Sequence, residues 1–203
     1  RLLTNGAGRV DVWGDGYVDG GNYGAVSFSS AACEITTESG DIDIRGYIWN
    51  ALNAPVNNGA LYFSTTVNIS SVSGDISLTG TGNYATIYGL RMEGANSVNI
   101  GVQSGQAGTG DITLNFDRLS RGCPWSLRGA GLLTFQPVTA GTTLGLAGAA
   151  GTFRLSTTDL GFVQNGFSGI RIGNSTAGSL TVGGALTAND SLSLISGGTL
   201  TVN

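Results

Sequence analysis

Three near-identical words constrain this chain more than anything else in it: "ESGDIDI" at Glu38–Ile44, "VSGDISL" at Val72–Leu78 and "GTGDITL" at Gly108–Leu114. Their Gly-Asp-Ile triplets begin at Gly40, Gly74 and Gly110, so the spacings are 34 and 36 residues. Each word follows a second short segment: "CEIT" at Cys33–Thr36, "VNIS" at Val67–Ser70 and "VNIG" at Val98–Gly101. A third segment lies further upstream: "GAVSF" at Gly24–Phe28, "GALYF" at Gly59–Phe63 and "GLRME" at Gly89–Glu93. A period of this size marks a repeat architecture, in which no unit buries its own core and each must stack on its neighbours.

The pairs Ile42/Ile44, Ile76/Leu78 and Ile112/Leu114 alternate with polar residues. Period two buries one face of a strand. Three strands of four to six residues per unit, stacked with their equivalents about 4.8 Å apart, describe an all-β parallel β-helix. The Gly-Asp dipeptide is then its corner: glycine permits the sharp bend, and the Asp carboxylate accepts backbone donors nearby. Asp41, Asp75 and Asp111 form a column outside, with Ile42, Ile76 and Ile112 stacked inside. Stacked carboxylates repel unless hydrogen-bonded, exposed or bridged by a cation. They read as corner caps, with a metal column as the alternative, and no cofactor or metal is expected.

The chain reads as one β-helix segment over residues 1–203, with long-looped turns over 1–128 and more compact turns over 129–203. "LLTFQPV" (Leu132–Val138), "TLGLAG" (Thr143–Gly148), "GIRIG" (Gly169–Gly173) and "SLTVGGALTA" (Ser179–Ala188) still alternate. "STTDLGFVQNG" at Ser156–Gly166 breaks the pattern. It has helix N-cap residues at its start, Leu160 and Val163 at i and i+3, and Asn165-Gly166 as a stop. One short helix near 157–165 is predicted.

The stretch Gly131–Val182, with its "LTFQP", "LS…DL" and "QNGFSGIRIG" elements, resembles the repeat region of filamentous-haemagglutinin-like bacterial exoproteins. These are adhesins exported by two-partner secretion. Leu155–Ser156, Asp159–Leu160 and Gln164–Gly173 match, with Gly169 where a second serine is commoner, and the resemblance extends over roughly residues 36–203. It implies a right-handed parallel β-helix, an extracellular or cell-surface location and an adhesive or matrix role. It supplies no catalytic residues. The secretion domain that the family uses for export is not recognisable.

Composition removes several alternatives. The net charge is -4, all nine basic residues are arginines and they are dispersed, so the basic patch that nucleic acid needs is missing. No run of eighteen apolar residues offers a membrane helix, and the strands are too short for an outer-membrane barrel; the chain is not expected to be membrane-embedded. With no His, Ser-His-Asp and Cys-His nucleophile systems are excluded. Two cysteines, Cys33 and Cys123, cannot close a thiolate zinc site; they pair if the fold stacks them, and otherwise are free thiols. The enzymatic alternative is a carbohydrate-active β-helix, a polysaccharide hydrolase or lyase. It would draw on Asp41, Asp43, Asp75 or Glu93, since hydrolysis needs two carboxylates flanking one bond. Surface alternation opposite Ile42 and Ile44 explains the same acids.

Three other features remain. "DVWGDGYVDGG" places Asp11, Asp15 and Asp19 four apart, in a spacing that fits neither an EF-hand loop nor the nonapeptide calcium repeat; a solvated turn is expected. Trp13 and Tyr17 beside it either stack on sugar or close the end of the core, and closure is the favoured reading. "RLSRGCPWSLRG" gathers Arg118, Arg121, Trp125 and Arg128. It is either an excursion packing Trp125 over the wall or a protrusion contacting anions, glycans or a neighbouring chain. Asn68, Asn174 and Asn189 fit the N-glycosylation pattern by chance composition, and the Thr65–Thr66 and Thr142–Thr143 pairs lack the constant offset of a flat threonine lattice. Finally, the chain starts at Arg1 without a signal peptide, and "GGTLTVN" ends it as an uncapped strand. Open edges recruit strands, so further turns or other copies of the polypeptide are the expected partners in a fibre.

Overall fold

The computed structural model describes residues 1–4, 6–17, 24–29, 31–50, 58–82, 86–94, 97–103, 105–106 and 108–203; for Tyr17 and Asn50 only the backbone is described. Asp19 therefore lies outside the described residues. In chain order, the first strands are β1 (Leu2–Leu3), β2 (Val10–Tyr17), β3 (Val26–Phe28), β4 (Cys33–Thr37), β5 (Ile42–Asn50) and β6 (Gly59–Phe63). Then come β7 (Val67–Ser71), β8 (Ile76–Gly82), β9 (Tyr88–Met92), β10 (Val98–Gly101), β11 (Ile112–Phe116), β12 (Leu119–Arg121) and β13 (Trp125–Arg128). The rest are β14 (Leu132–Gln136), β15 (Leu144–Leu146), β16 (Phe153–Leu155), helix α1 (Thr157–Gly161), β17 (Gly169–Gly173), β18 (Leu180–Val182), β19 (Leu192–Ile195) and β20 (Leu200–Val202).

Every strand pairing among the described residues is parallel, in four sheets ordered β1-β4-β7-β10-β13, β19-β17-β14-β11-β8-β5-β2, β12-β9-β6-β3 and β16-β15-β18-β20. Up to β13, partners are three elements apart in sequence, one from each repeat. The fold is thus nearly all β, in parallel sheets compatible with a parallel β-helix. The repeat words pair as equivalents: Ile42 with Ile76, and Ile76 with Ile112. Along the seven-stranded sheet two inward rows are aliphatic or aromatic throughout. One runs Val10–Ile42–Ile76–Ile112–Leu133–Ile170–Leu192. Most of its members are buried, as are Ile44, Leu78, Leu114 and Phe135 in the next row. Phe116 stacks on Phe153 at 5.1 Å and 10°, and Trp125 tilts against Phe135.

Two glycine columns hold the strands this close. A Cβ at Gly40, Gly74 or Gly110 would meet the carbonyl oxygen of Gly8, Gly40 or Gly74 at 2.0–2.2 Å. Gly8 is thus the corner of an earlier repeat, "GRVDVWG", with Arg9 in the Asp position, and residues 1–35 carry more of the repeat than its generic alternation. Six residues on, Gly14, Gly46 and Gly80 pair in register, and a Cβ there would strike backbone of Ala25, Ala60 and Gly89. Past that crossing, β2, β5 and β8 run on as longer strands than the four to six residues expected. Ile48, Ala60 and Ile87 form a small second core under the extension. Where Phe116 replaces the glycine opposite Gly80, the strand ends.

Helix α1 is capped as its residues require. The Ser156 hydroxyl accepts Asp159 N–H, and the Asp159 carboxylate accepts Ser156 N–H. It is shorter than predicted and does not reach 165. Val163 instead bridges Leu127, and Gln164 N–H donates to the Leu127 carbonyl at 2.9 Å, so sheet pairing takes over from the helix. A second departure is order. β16 follows β15 in the chain, yet β15 lies between β16 and β18, and β16 touches β12. The chain steps back here to fill the place beside β12. No described helix is long and apolar enough to cross a membrane.

Candidate functional site

The acidic corners are occupied by backbone. Asp75 N–H donates to Asp41 Oδ1 at 2.9 Å, Asp111 N–H to Asp75 Oδ1 at 2.8 Å, and Leu132 N–H to Asp111 Oδ1 at 2.7 Å. Each carboxylate in the column thus answers an N–H one repeat away, which is how stacked acids avoid simple repulsion. Asp117 accepts Val138 and Thr139 N–H, both at 2.9 Å, and Asp190 accepts Gly166 and Phe167 N–H. Glu93 is held by Tyr62 and by Arg91. Among the described residues no three His, Cys, Asp or Glu side chains gather as a metal site would require.

The Arg118–Arg128 stretch does not protrude. β12 and β13 take it into the sheets, pairing with β9 and β10. Trp125, expected either over the wall or as a contact residue, is inside: it is 1% exposed, and its indole N–H donates to the Asp159 carbonyl at 3.0 Å. Its register with Val98 and that of Leu127 with Ile100 give the reason, since both occupy inward positions. Arg121 is drawn into an ion pair with Asp159 and lies over the Phe162 ring. Arg118 lies over Tyr88. Arg128 lines a groove of about 400 Å³ on the outside of β7, β10 and β13 with Asn68, Asn99, Gln103 and Ser126, and Arg118 lines a separate hollow of about 330 Å³. Arg121 and Trp125 thus meet at Asp159, while Arg118 and Arg128 line different hollows.

Cys33 and Cys123 are free thiols. Burial pushes the pKa of both above the ordinary thiol value; nearby positive charge, the Arg1 terminus for Cys33 and Arg121 for Cys123, offsets this in part. The glycosylation-pattern asparagines are tied locally. Asn68 accepts from Asn99, Asn174 donates to the Pro137 carbonyl, and Asn189 donates to the Val163 carbonyl.

A different surface stands out. Trp13 does not close the core: it is 71% exposed, because it lies between inward Val12 and inward Gly14. On neighbouring β5, Tyr47 and Trp49 face the same way, opposite Ile48. Their rings meet edge-on at 5.0 Å and 85°, and Trp49 is 58% exposed. Trp13 pairs with Arg45, and Asp15 with Tyr47. Beside the rings lies a charge network. Arg9 donates to Asp11 at 2.8 Å and to Asp43 at 3.1 Å, and Arg45 Nε donates to Asp43 at 3.0 Å. That last bond, with the Asp43 charge, raises the Arg45 pKa. These groups line a hollow of about 290 Å³ with Val12 and Trp13. Sequence reasoning singled out Trp13 but placed it at the core end, and it passed over Tyr47 and Trp49. The available signal was alternation: "RGYIWN" continues the outward positions of β5 past Arg45.

The comparisons identify no kin: no family model, no curated protein and no solved structure matches this chain.

Proposed function

We propose that this chain is a right-handed parallel β-helix segment serving as a non-catalytic, structural and adhesive part of a large secreted bacterial surface fibre, of the filamentous-haemagglutinin-like kind. The handedness follows the general rule for parallel crossovers. The observation that carries the reading is the use of acid: Asp41, Asp75, Asp111, Asp117 and Asp190 all accept backbone N–H groups. A glycosidase needs two carboxylates directed at one bond, whereas these are directed at the chain itself. The resemblance in Gly131–Val182 points to the same setting.

The test is immunogold electron microscopy of intact producing cells, using antibody to this segment. Label along filaments outside the cell envelope is the expected result. Label confined to the cell interior overturns the proposal.

A further inference from the structure

We propose that the outer face carrying Trp13, Tyr47 and Trp49 binds an uncharged polysaccharide chain; the inference rests on the adhesive reading above and supplies its ligand class. Burying an aromatic side chain is among the largest stabilising terms open to a small fold, yet two indoles here stay 71% and 58% exposed. The fold does not require them. At the register position of Trp13 the following strands carry Arg45, Thr79, Asn115 and Gln136. An exposed indole face matches the C–H face of a pyranose ring, and the neighbouring groups match its hydroxyls.

The charge pattern selects among glycans. In the hollow beside Trp13, Arg9 and Arg45 are matched by Asp11 and Asp43, so a sulfated or uronic chain finds no surplus positive charge to answer it. The neighbouring surface is neutral too. Ser77 and Thr113 form one outward row across β8 and β11; Thr134 continues the register on β14 but is buried. Thr79, Asn115 and Gln136 form the next, linked by bonds of 3.0 and 2.7 Å. A chain lying across the strands leaves the aromatic rings for this hydroxyl and amide strip, meeting a new strand about every 4.8 Å. A protein partner fits less well. Aspartate is depleted at the centres of protein interfaces, whereas Asp15 sits opposite Tyr47, and the Arg45 charge is already taken by Asp43.

The test uses the whole 203-residue chain with two neutral probes, cellohexaose and chitohexaose, and heparin as the anionic comparator, followed by tryptophan fluorescence and calorimetric titration. Saturable binding of at least one neutral probe is expected, with heparin weaker. Trp13→Ala and Trp49→Ala should each weaken binding roughly tenfold while the chain still melts cooperatively, and Arg154→Ala should leave binding unchanged. Several results overturn the proposal: no neutral binding at millimolar probe, tighter heparin binding, or full binding by both tryptophan variants. Self-association abolished by Trp13→Ala would likewise overturn it, by assigning the face to a second copy. Surface filaments without sugar binding would retire this ligand and leave the structural reading intact; sugar binding by an intracellular chain would do the reverse.

Discussion

Adding one methyl group at Gly74 tests whether the repeats touch as closely as the corner column requires. The new Cβ would lie 2.2 Å from the Gly40 carbonyl oxygen and 2.4 Å from its carbon. Both are backbone atoms, so no side-chain rotation relieves the clash, and adjacent repeats must part by about 1 Å to restore contact distance. That movement stretches two bonds past useful length: Asp75 N–H to Asp41, now 2.9 Å, and Ile42 N–H to the Asp75 carbonyl, now 2.8 Å. Two net hydrogen bonds with the strain of overpacking give a loss of about 3–5 kcal/mol. For a chain of this size that lowers the melting temperature by roughly 6–20 °C. Gly161→Ala is the control, because nothing lies within 4 Å of its Cβ position and it sits in helix α1; it should be neutral or stabilise by up to about 1 kcal/mol. Thermal melting followed by far-ultraviolet circular dichroism measures both, and hydrogen exchange at the Asp75 and Asp111 amides localises the damage. Equal melting points for the two variants would refute the reasoning.

Three further outcomes follow from the same packing. Ile76→Asp places a charge among Ile42, Ile112 and their neighbours at a site 2% exposed, which costs several kcal/mol; a sharp wild-type-like melt would count against the inward column. Cys123, buried and with its pKa raised, should react with iodoacetamide at pH 8 more slowly than half-buried Cys33. The folded state holds the thiol proton more tightly than the unfolded chain does. That contribution is complete below the ordinary thiol pKa and is lost as pH rises through the raised one; equal labelling rates would contradict the burial. Chelation with EDTA should leave the melting temperature unchanged, because the corner acids already answer N–H groups; a drop of many degrees would make them cation ligands, with Asp11–Asp19 the first suspect.

What could be read from the sequence was whatever repeats locally. Inward alternation and the Gly-Asp corner recur with the same neighbours, so Ile42, Ile76 and Ile112 could be placed before any coordinates. The second glycine column was also written there, as a glycine six residues after Gly8, Gly40 and Gly74, but unlike residues surround it and hide the pattern. Trp125 was misread because Gly122, Cys123 and Pro124 look like a loop, although Trp125 and Leu127 alternate as a strand does. The reversal of β15 and β16 has no local signature at all. A three-residue strand carries no mark of which neighbour it will pair with, and the empty place beside β12 exists only once the other strands are assembled.

The same contrast locates function. In a stacked fold, positions that the architecture dictates repeat, and positions that it leaves free drift. The inward row from Val10 to Leu192 holds only Val, Ile and Leu across seven strands. The outward row beginning at Trp13 holds Trp, Arg, Thr, Asn and Gln across five. A large aromatic at such a position is not part of the core: Trp13 is 71% exposed. It also carries a solubility penalty that a polar residue would avoid. Residues retained against that penalty, clustered on adjacent strands beside a balanced charge network, are where contact with another molecule is to be sought. By the same reasoning the acidic columns, conspicuous in the sequence, belong to the architecture. Removing the tryptophans should change what the segment holds, whereas removing the corner aspartates should change whether it stays folded.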